Sequence, residues 1–308
     1  MLSRVAENIF WMSRYMERTN IHLRNLQTLY IASQDGVPVI SWETIYKEYN
    51  PGQKSAACTG DSEILQNIFF DNNLEYSLSN NILRARENAR SAQDHITKEL
   101  WQSLNDFYHQ MRNPALKAQI ANHDPITVFD QFIKQCMHYY GTVDNSMFRG
   151  EGFYFLRIGG FIERALQCIL LLKRQLMISD ISRPEQADPV SWRYLLISLS
   201  GYEYYLRANA GSFNVESMYN QILYEDHFPN SVAYSLYQTA SFTKSLKKSN
   251  LEEQKDSIEF LLGKTIAYLK YNKPEPDTNS RLDFLTQLES GIHEIVQAFD
   301  LHYFKVAY

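Results

Sequence analysis

Near the start of the chain, apolar residues recur at Val5, Ile9, Met12, Met16, Leu23, Leu26 and Tyr30, in steps of three, four and seven. That spacing lines one face of a helix and predicts a long helix over residues 4–33. The pattern returns at Ile82, Ala85, Ala89, Ala92, Ile96, Leu100 and Leu104, predicting a second long helix over 78–106. Its alanines allow a neighbouring helix to approach closely. A third long helix is expected over 147–175, with shorter ones near 125–139, 189–208, 215–225, 231–246, 251–268 and 281–305. Polar loops rich in breakers interrupt the periodicity at Tyr49–Ser62, Ser179–Pro189 and Asn272–Asp277.

Composition narrows the fold class. The 308 residues include only 12 Gly and 9 Pro, too few turn-formers for a sandwich, a propeller or a glycine-punctuated α/β sheet. The expectation is an all-α, single-domain multi-helix bundle over residues 1–308, with the three long helices as its spine. A net charge of −5 gives no basic field for nucleic acid. The longest apolar stretch, Ala165 to Leu172, is interrupted by Gln167 and is far short of the ~20 residues of a membrane span. Cys58, Cys136 and Cys168 are odd in number and widely separated, and the first residues carry no apolar signal segment. The expected location is therefore the cytoplasm.

The polar positions are the more informative ones. In the first helix Glu7, Trp11, Arg14 and Arg18 line up opposite the apolar seam, and in the second Glu87, Arg90, Asp94 and Trp101 do the same. The plain interpretation is a solvated face laced with ion pairs. Against it, each strip contains a tryptophan, a residue seldom left wholly in water. The third helix is apolar around most of its circumference, and its polar groups are confined to Arg157, Gly160, Arg164 and Gln167, with Glu163 at the edge. So apolar a helix is expected to be internal, with its charges paired. Three converging strips would wall a pocket suited to carboxylate or phosphate, because guanidinium forks match two oxygens at once. The same residues would equally serve a buried ion-pair network that fixes helix register.

Several chemistries are absent from the sequence. There is no Walker or dinucleotide glycine loop, and no Glu-x-x-His pair for a di-iron site. His293-Glu294 begins like a zinc-protease motif, but Gln297 stands where the second histidine belongs. No metal site, no cofactor and no convincing nucleophile–base pair is expected.

Four segments carry a family resemblance. The run from Met1 to Arg18 is similar to the opening of the bacterial alpha-E domain family. The run Ile82 to Asp94, followed by Glu99 to Asn105, resembles that family's second signature, and Phe155 to Ala165 the third. Phe228-Pro229-Asn230-Ser231-Val232 is a weaker fourth match. The positions that keep the family pattern are Glu7, Arg14, Glu17, Arg18, Arg86, Glu87, Arg90, Asp94, Arg157, Glu163 and Arg164. All but Glu7 are candidate ligand-binding residues. Gly160 and Asn230 depart from the pattern, each standing where an arginine is usual. A Glu-Arg dipeptide recurs at Glu17-Arg18 and Glu163-Arg164, both within long predicted helices.

The resemblance implies partners and not a reaction. Alpha-E domains resemble companions of circularly permuted ATP-grasp proteins and transglutaminase-like proteins, in systems associated with making or cutting peptide-like amide bonds. The expected role is an accessory or substrate-holding partner of an ATP-grasp amide or peptide ligase, with a peptide or carboxylate as ligand and neither nucleic acid nor membrane as partner. Two alternatives stand beside it. One is an enzyme using Glu17, Glu87 or Glu163 as general base, which adjoining arginines disfavour because they stabilise the ionised carboxylate. The other is a scaffold whose charged strips are purely structural.

Overall fold

The structure, a computed structural model, describes residues 1–37, 41–49, 61–122, 125–178, 189–246 and 257–305. Among them the regular structure is entirely helical. The order is α1 (Ser3–Gln34), α2 (Trp42–Tyr49), α3 (Asp61–Phe70), α4 (Leu78–Ser91), α5 (Lys98–Met111), α6 (Pro114–Asn122) and α7 (Pro125–Ser146). It continues with α8 (Glu151–Ile178), α9 (Pro189–Ser198), α10 (Tyr202–Ala208), α11 (Val215–Tyr224), α12 (Val232–Ser245), α13 (Ile258–Tyr271) and α14 (Thr278–Phe299). Two compact units result, one of residues 11–148 and one of residues 1–10 with 149–308. No helix among the described residues is long and apolar enough to cross a membrane.

In the unit of residues 11–148 the expected seams are the core. Met12, Met16, Leu23 and Leu26 of α1 are fully buried, as are Ile82, Ala85 and Ala89 of α4. The predicted second long helix is broken, however. Its first half ends at Ala92, a short 3-10 turn follows over Gln93–His95, and α5 restarts behind Thr97, whose hydroxyl accepts from the Leu100 N–H at 3.2 Å. A threonine three residues ahead of a free N–H is a helix start signal, and here it overrides the continuous apolar period. The break lets α5 turn back along α4 and pack on α7. Phe107, Phe132, Phe129 and Phe69 fill the space between, with ring centroids 5.2–6.3 Å apart.

In the other unit, α8 is the internal helix its composition requires, and its closest neighbour is α12. Behind its buried N-cap Ser231, the buried face of α12 carries Ser235, Thr239 and Thr243. Each of the last three hydroxyls donates to the carbonyl four residues back, at 2.7–2.8 Å, so small polar side chains sit in the core with their hydrogen bonds made. Gly159 of α8 is required by close approach, since a Cβ there would meet the Phe10 carbonyl oxygen. Phe10 in turn packs on Phe299 and Phe304, centroids 5.8 and 5.2 Å away.

The pattern read as one helix over 189–208 is two, α9 and α10, separated at Ser200 (φ 55°) and Gly201. A Cβ on Gly201 would lie 2.6 Å from the Phe228 ring, and the Gly201 carbonyl accepts from Gln221 Nε2 at 2.8 Å. The connector Asn272–Asp277 lies between α13 and α14 as expected. The other two expected loops lie largely outside the described residues.

Candidate functional site

In α1, three candidate residues occur within one and a half turns, and each is engaged differently. Glu17 is buried (1% exposed) and accepts from the Tyr140 hydroxyl of α7 at 2.6 Å. Arg14 is also buried and stacks over Trp11, its guanidinium carbon 4.5 Å from the ring centroid. This accounts for the tryptophan in the strip, because an indole face is the best aromatic partner for a guanidinium. Arg18 lies 5.6 Å over Tyr15 and 5.6 Å over Tyr76.

A further cation approaches the same ring. Arg84 of α4 stands 5.8 Å over Tyr15, half-buried, and makes neither a hydrogen bond nor an ion pair among the described residues. Two guanidiniums thus flank one tyrosine. The arrangement offers planar donors to an oxygen-bearing anion and has an apolar floor to stack against.

The second signature splits over two faces of α4. Arg86 points away from Arg84, because two residues along a helix are 200° apart on the wheel. It is held by Asn105 (Nε to Oδ1, 2.9 Å), by Glu87 (2.9 Å), and by the rings of Tyr108 and Trp101 at 4.6 and 5.3 Å. Glu87 also pairs with Arg90 at 2.6 Å, and Arg90 is largely exposed. Exposed pairs of this kind contribute little stability. Asp94 is exposed in the 3-10 turn beyond the end of α4.

The α8 candidates belong to the other unit. Glu163 is buried and accepts from Gln167 Nε2 at 3.0 Å. Arg164 donates to the Pro229 carbonyl at 3.0 Å and lies 5.1 Å over Phe161. Arg157 sits among three phenylalanines, Phe161, Phe153 and Phe242, at 5.0–5.8 Å. The two residues that depart from the family pattern have structural places. Gly160 is buried in α8, and Asn230 donates to the Leu199 carbonyl at 2.7 Å while its own carbonyl accepts from the Cys168 thiol.

Reading the sequence missed Tyr15, Tyr76, Arg84 and Tyr140. Arg84 sits inside the second signature but off the wheel position of its charged strip. Only the wheel of Tyr15 and Arg18, three residues apart on α1, signalled a shared face. Sequence reading also missed a serine–histidine contact, Ser103 Oγ to His138 Nδ1 at 3.0 Å, in a groove of about 730 Å³ lined by Glu99, Asp106 and Asn145. Ser103 lies in the middle of α5, where backbone N–H groups are used by the helix itself and offer no oxyanion donors. The contact ties α5 to α7, as does the Thr97–Ser146 bond at 2.7 Å. Among the described residues no three His, Cys, Asp or Glu side chains gather as a metal site.

The comparisons with curated proteins and with solved structures returned no match. A family model does match, over residues 1–304, and its description is a predicted alpha-helical domain with a conserved ER motif. The chain has Glu-Arg at 17–18 and at 163–164, in each case with the glutamate buried and the arginine beside it half-buried on an aromatic ring. It belongs to the Alpha-E family.

Proposed function

We propose that this chain is a non-catalytic, substrate-holding partner of an ATP-grasp amide or peptide ligase, and that it binds a carboxylate-bearing substrate at Tyr15 through Arg84 and Arg18. The observation that carries the binding half is Arg84, a half-buried guanidinium with no carboxylate partner among the described residues, on the same ring as Arg18. The ligase half rests on the family resemblance. An ATP-grasp enzyme activates a carboxylate as an acyl phosphate, which an amine then attacks with loss of phosphate. A companion that grips a second carboxylate of the substrate would present the reacting end to that enzyme. The transglutaminase-like protein is the second partner to test.

The carboxylates fit a positioning role better than a general-base role. Glu17 already accepts from Tyr140, Glu163 from Gln167, and Glu87 from two guanidiniums. A base needs a lone pair aimed at the proton it removes.

The test mixes the purified chain with a circularly permuted ATP-grasp protein and follows ADP release across amino acids and short acidic peptides. The wild-type chain is expected to lower the KM for at least one carboxylate-bearing substrate. Arg84→Gln should raise that KM by roughly tenfold or more, the equivalent of one charge-assisted bond. If the wild-type chain leaves ADP release unchanged with every substrate, the reading fails.

A further inference from the structure

The unit that contains α8 holds a second polar cluster, made of residues that lie outside the four family signatures. Arg281, in the first turn of α14, is buried with its side chain 5% exposed. One of its nitrogens, Nη2, donates to Glu216 at 2.6 Å, and Glu216 reaches it from a largely exposed position on α11. The other two, Nε and Nη1, are buried with no hydrogen-bond partner among the described residues. The same holds for the hydroxyls of Tyr219 and Tyr224, the former on a residue 1% exposed. The Arg281 guanidinium lies 4.7 Å over the Tyr219 ring, and its charge acts on both the Tyr219 and the Tyr224 phenols, so these groups are neighbours. Lys273, an exposed residue of the α13–α14 connector, places its ammonium 3.8 Å from the Tyr224 ring centroid.

Native interiors rarely leave such groups unmade, because each unpaired buried donor forfeits its hydration. Here four fall in one place, two on a cation and two on phenols. We propose that Arg281, Tyr219 and Tyr224 form a binding site for a small oxyanion, a carboxylate or phosphate group, with Lys273 as the strap over its mouth. The chemistry is that of donors alone. Nε–H and Nη1–H can only donate, and a phenol beside a guanidinium donates to whatever acceptor lies between them. Burial keeps both phenols protonated: it pushes Tyr224 up to about 12 and raises Tyr219 as well. In direct contact there are two cations, Arg281 and Lys273, and one carboxylate, Glu216, which leaves the cluster with a positive balance for an anion. The site does not depend on the proposal made for Arg84.

Thermal melting of the full chain tests this, in the Arg18→Gln/Arg84→Gln background, which removes both cations from the Tyr15 ring. Inorganic phosphate and acetate are titrated in separate arms against sodium chloride of equal ionic strength. A melting temperature that climbs with phosphate, with acetate or with both supports the site and names the class of anion it takes. In Tyr219→Phe/Tyr224→Phe the apparent affinity for that anion should fall at least tenfold, while the anion-free protein melts no lower than its parent. Arg281→Met should abolish the response, and because Glu216 is exposed its loss of a partner is tolerable. Should Arg281→Met fail to fold, the tyrosine pair decides alone. No response to either anion beyond chloride overturns the proposal, as does a response that the tyrosine substitutions leave unchanged.

Discussion

The Tyr140 hydroxyl donates to a carboxylate oxygen of Glu17 at 2.6 Å, across 123 residues of sequence. Glu17 is the acid of the first Glu-Arg dipeptide and is almost fully buried. A buried carboxyl group is costly unless its oxygens find hydrogen-bond donors. Tyr140 is therefore one of the groups that make this position of α1 tolerable. The substitution Tyr140→Phe should destabilise the protein by about 1.5–3 kcal/mol, the value of a hydrogen bond to a charged group. Urea denaturation would show it as a lower midpoint with an unchanged slope.

Two glycines should respond to alanine with opposite sign. Gly159→Ala would drive a methyl group into the Phe10 carbonyl, a backbone atom that cannot turn aside. The cost should be about 1–3 kcal/mol or more, as for other overpacked sites. Gly141, in the middle of α7, has nothing within 4 Å of an added Cβ. Gly141→Ala should stabilise by roughly 0.5–1 kcal/mol, because alanine surrenders less backbone freedom in a helix. Thermal melts of the two variants side by side are sufficient.

Arg164→Met separates a ligand-holding arginine from one locked in a buried network. Arg164 is half-buried, and its bond to the Pro229 carbonyl at 3.0 Å joins α8 to the turn before α12. Losing that bond should cost about 1 kcal/mol and leave the protein folded. A cost of roughly 3–5 kcal/mol would instead mean that the change strands a buried carboxylate, and would remove Arg164 from the ligand-binding candidates. Running the ligase assay on the same preparation tests the functional half.

Alkali should weaken the fold through its buried phenols. Burial raises Tyr224 from 10.0 to about 12, and Tyr219 and Tyr303 are raised by the same cause. Between those values the unfolded chain gives up protons that the folded protein retains. The unfolded state then binds fewer protons, so stability falls as pH rises. The contribution is whole below pH 10 and is lost by the time pH has passed through the folded-state value. Urea midpoints measured from pH 9 to pH 11 should decline, and Tyr224→Phe should decline less steeply. A midpoint that holds constant across this range would contradict the assignment.

Buried thiols give a chemical check on the core. Cys136 and Cys168 are both buried thiols. The Cys136 thiol is pushed far above its ordinary value, mainly by burial and further by Glu17 nearby, with Arg24 opposing. Since the thiolate is the reacting species, Cys136 should resist iodoacetamide in the native protein and react at once in urea. Peptide mapping by mass spectrometry reads the site directly.

The helical class and most of the core follow from residue spacing, because a 3.6-residue apolar period has only one regular solution. Ile9, Met12, Met16, Ile82, Ala85 and Ala89 were legible as buried from spacing alone, and so was α8 as an internal helix. The family was legible as well, from local runs that carry Glu17, Arg18, Glu163 and Arg164. The interruptions were less so. The ends of α4 and α9 depend on the Thr97 hydroxyl and on the turn at Ser200 and Gly201, single-residue effects that a periodic pattern does not register. Which charge meets which partner is settled by how the helices pack. Arg84 and Arg86 are two residues apart, yet one faces Tyr15 of α1 and the other Asn105 of α5. Tyr140 finds Glu17, and Arg281 finds Glu216, from far along the chain. Helical periodicity sets the direction in which a side chain leaves its own axis, but its partner is set by the packing of other helices. That packing depends on shape at points such as Gly159 and the serine–threonine face of α12, where a methyl group more or less changes how closely two axes approach.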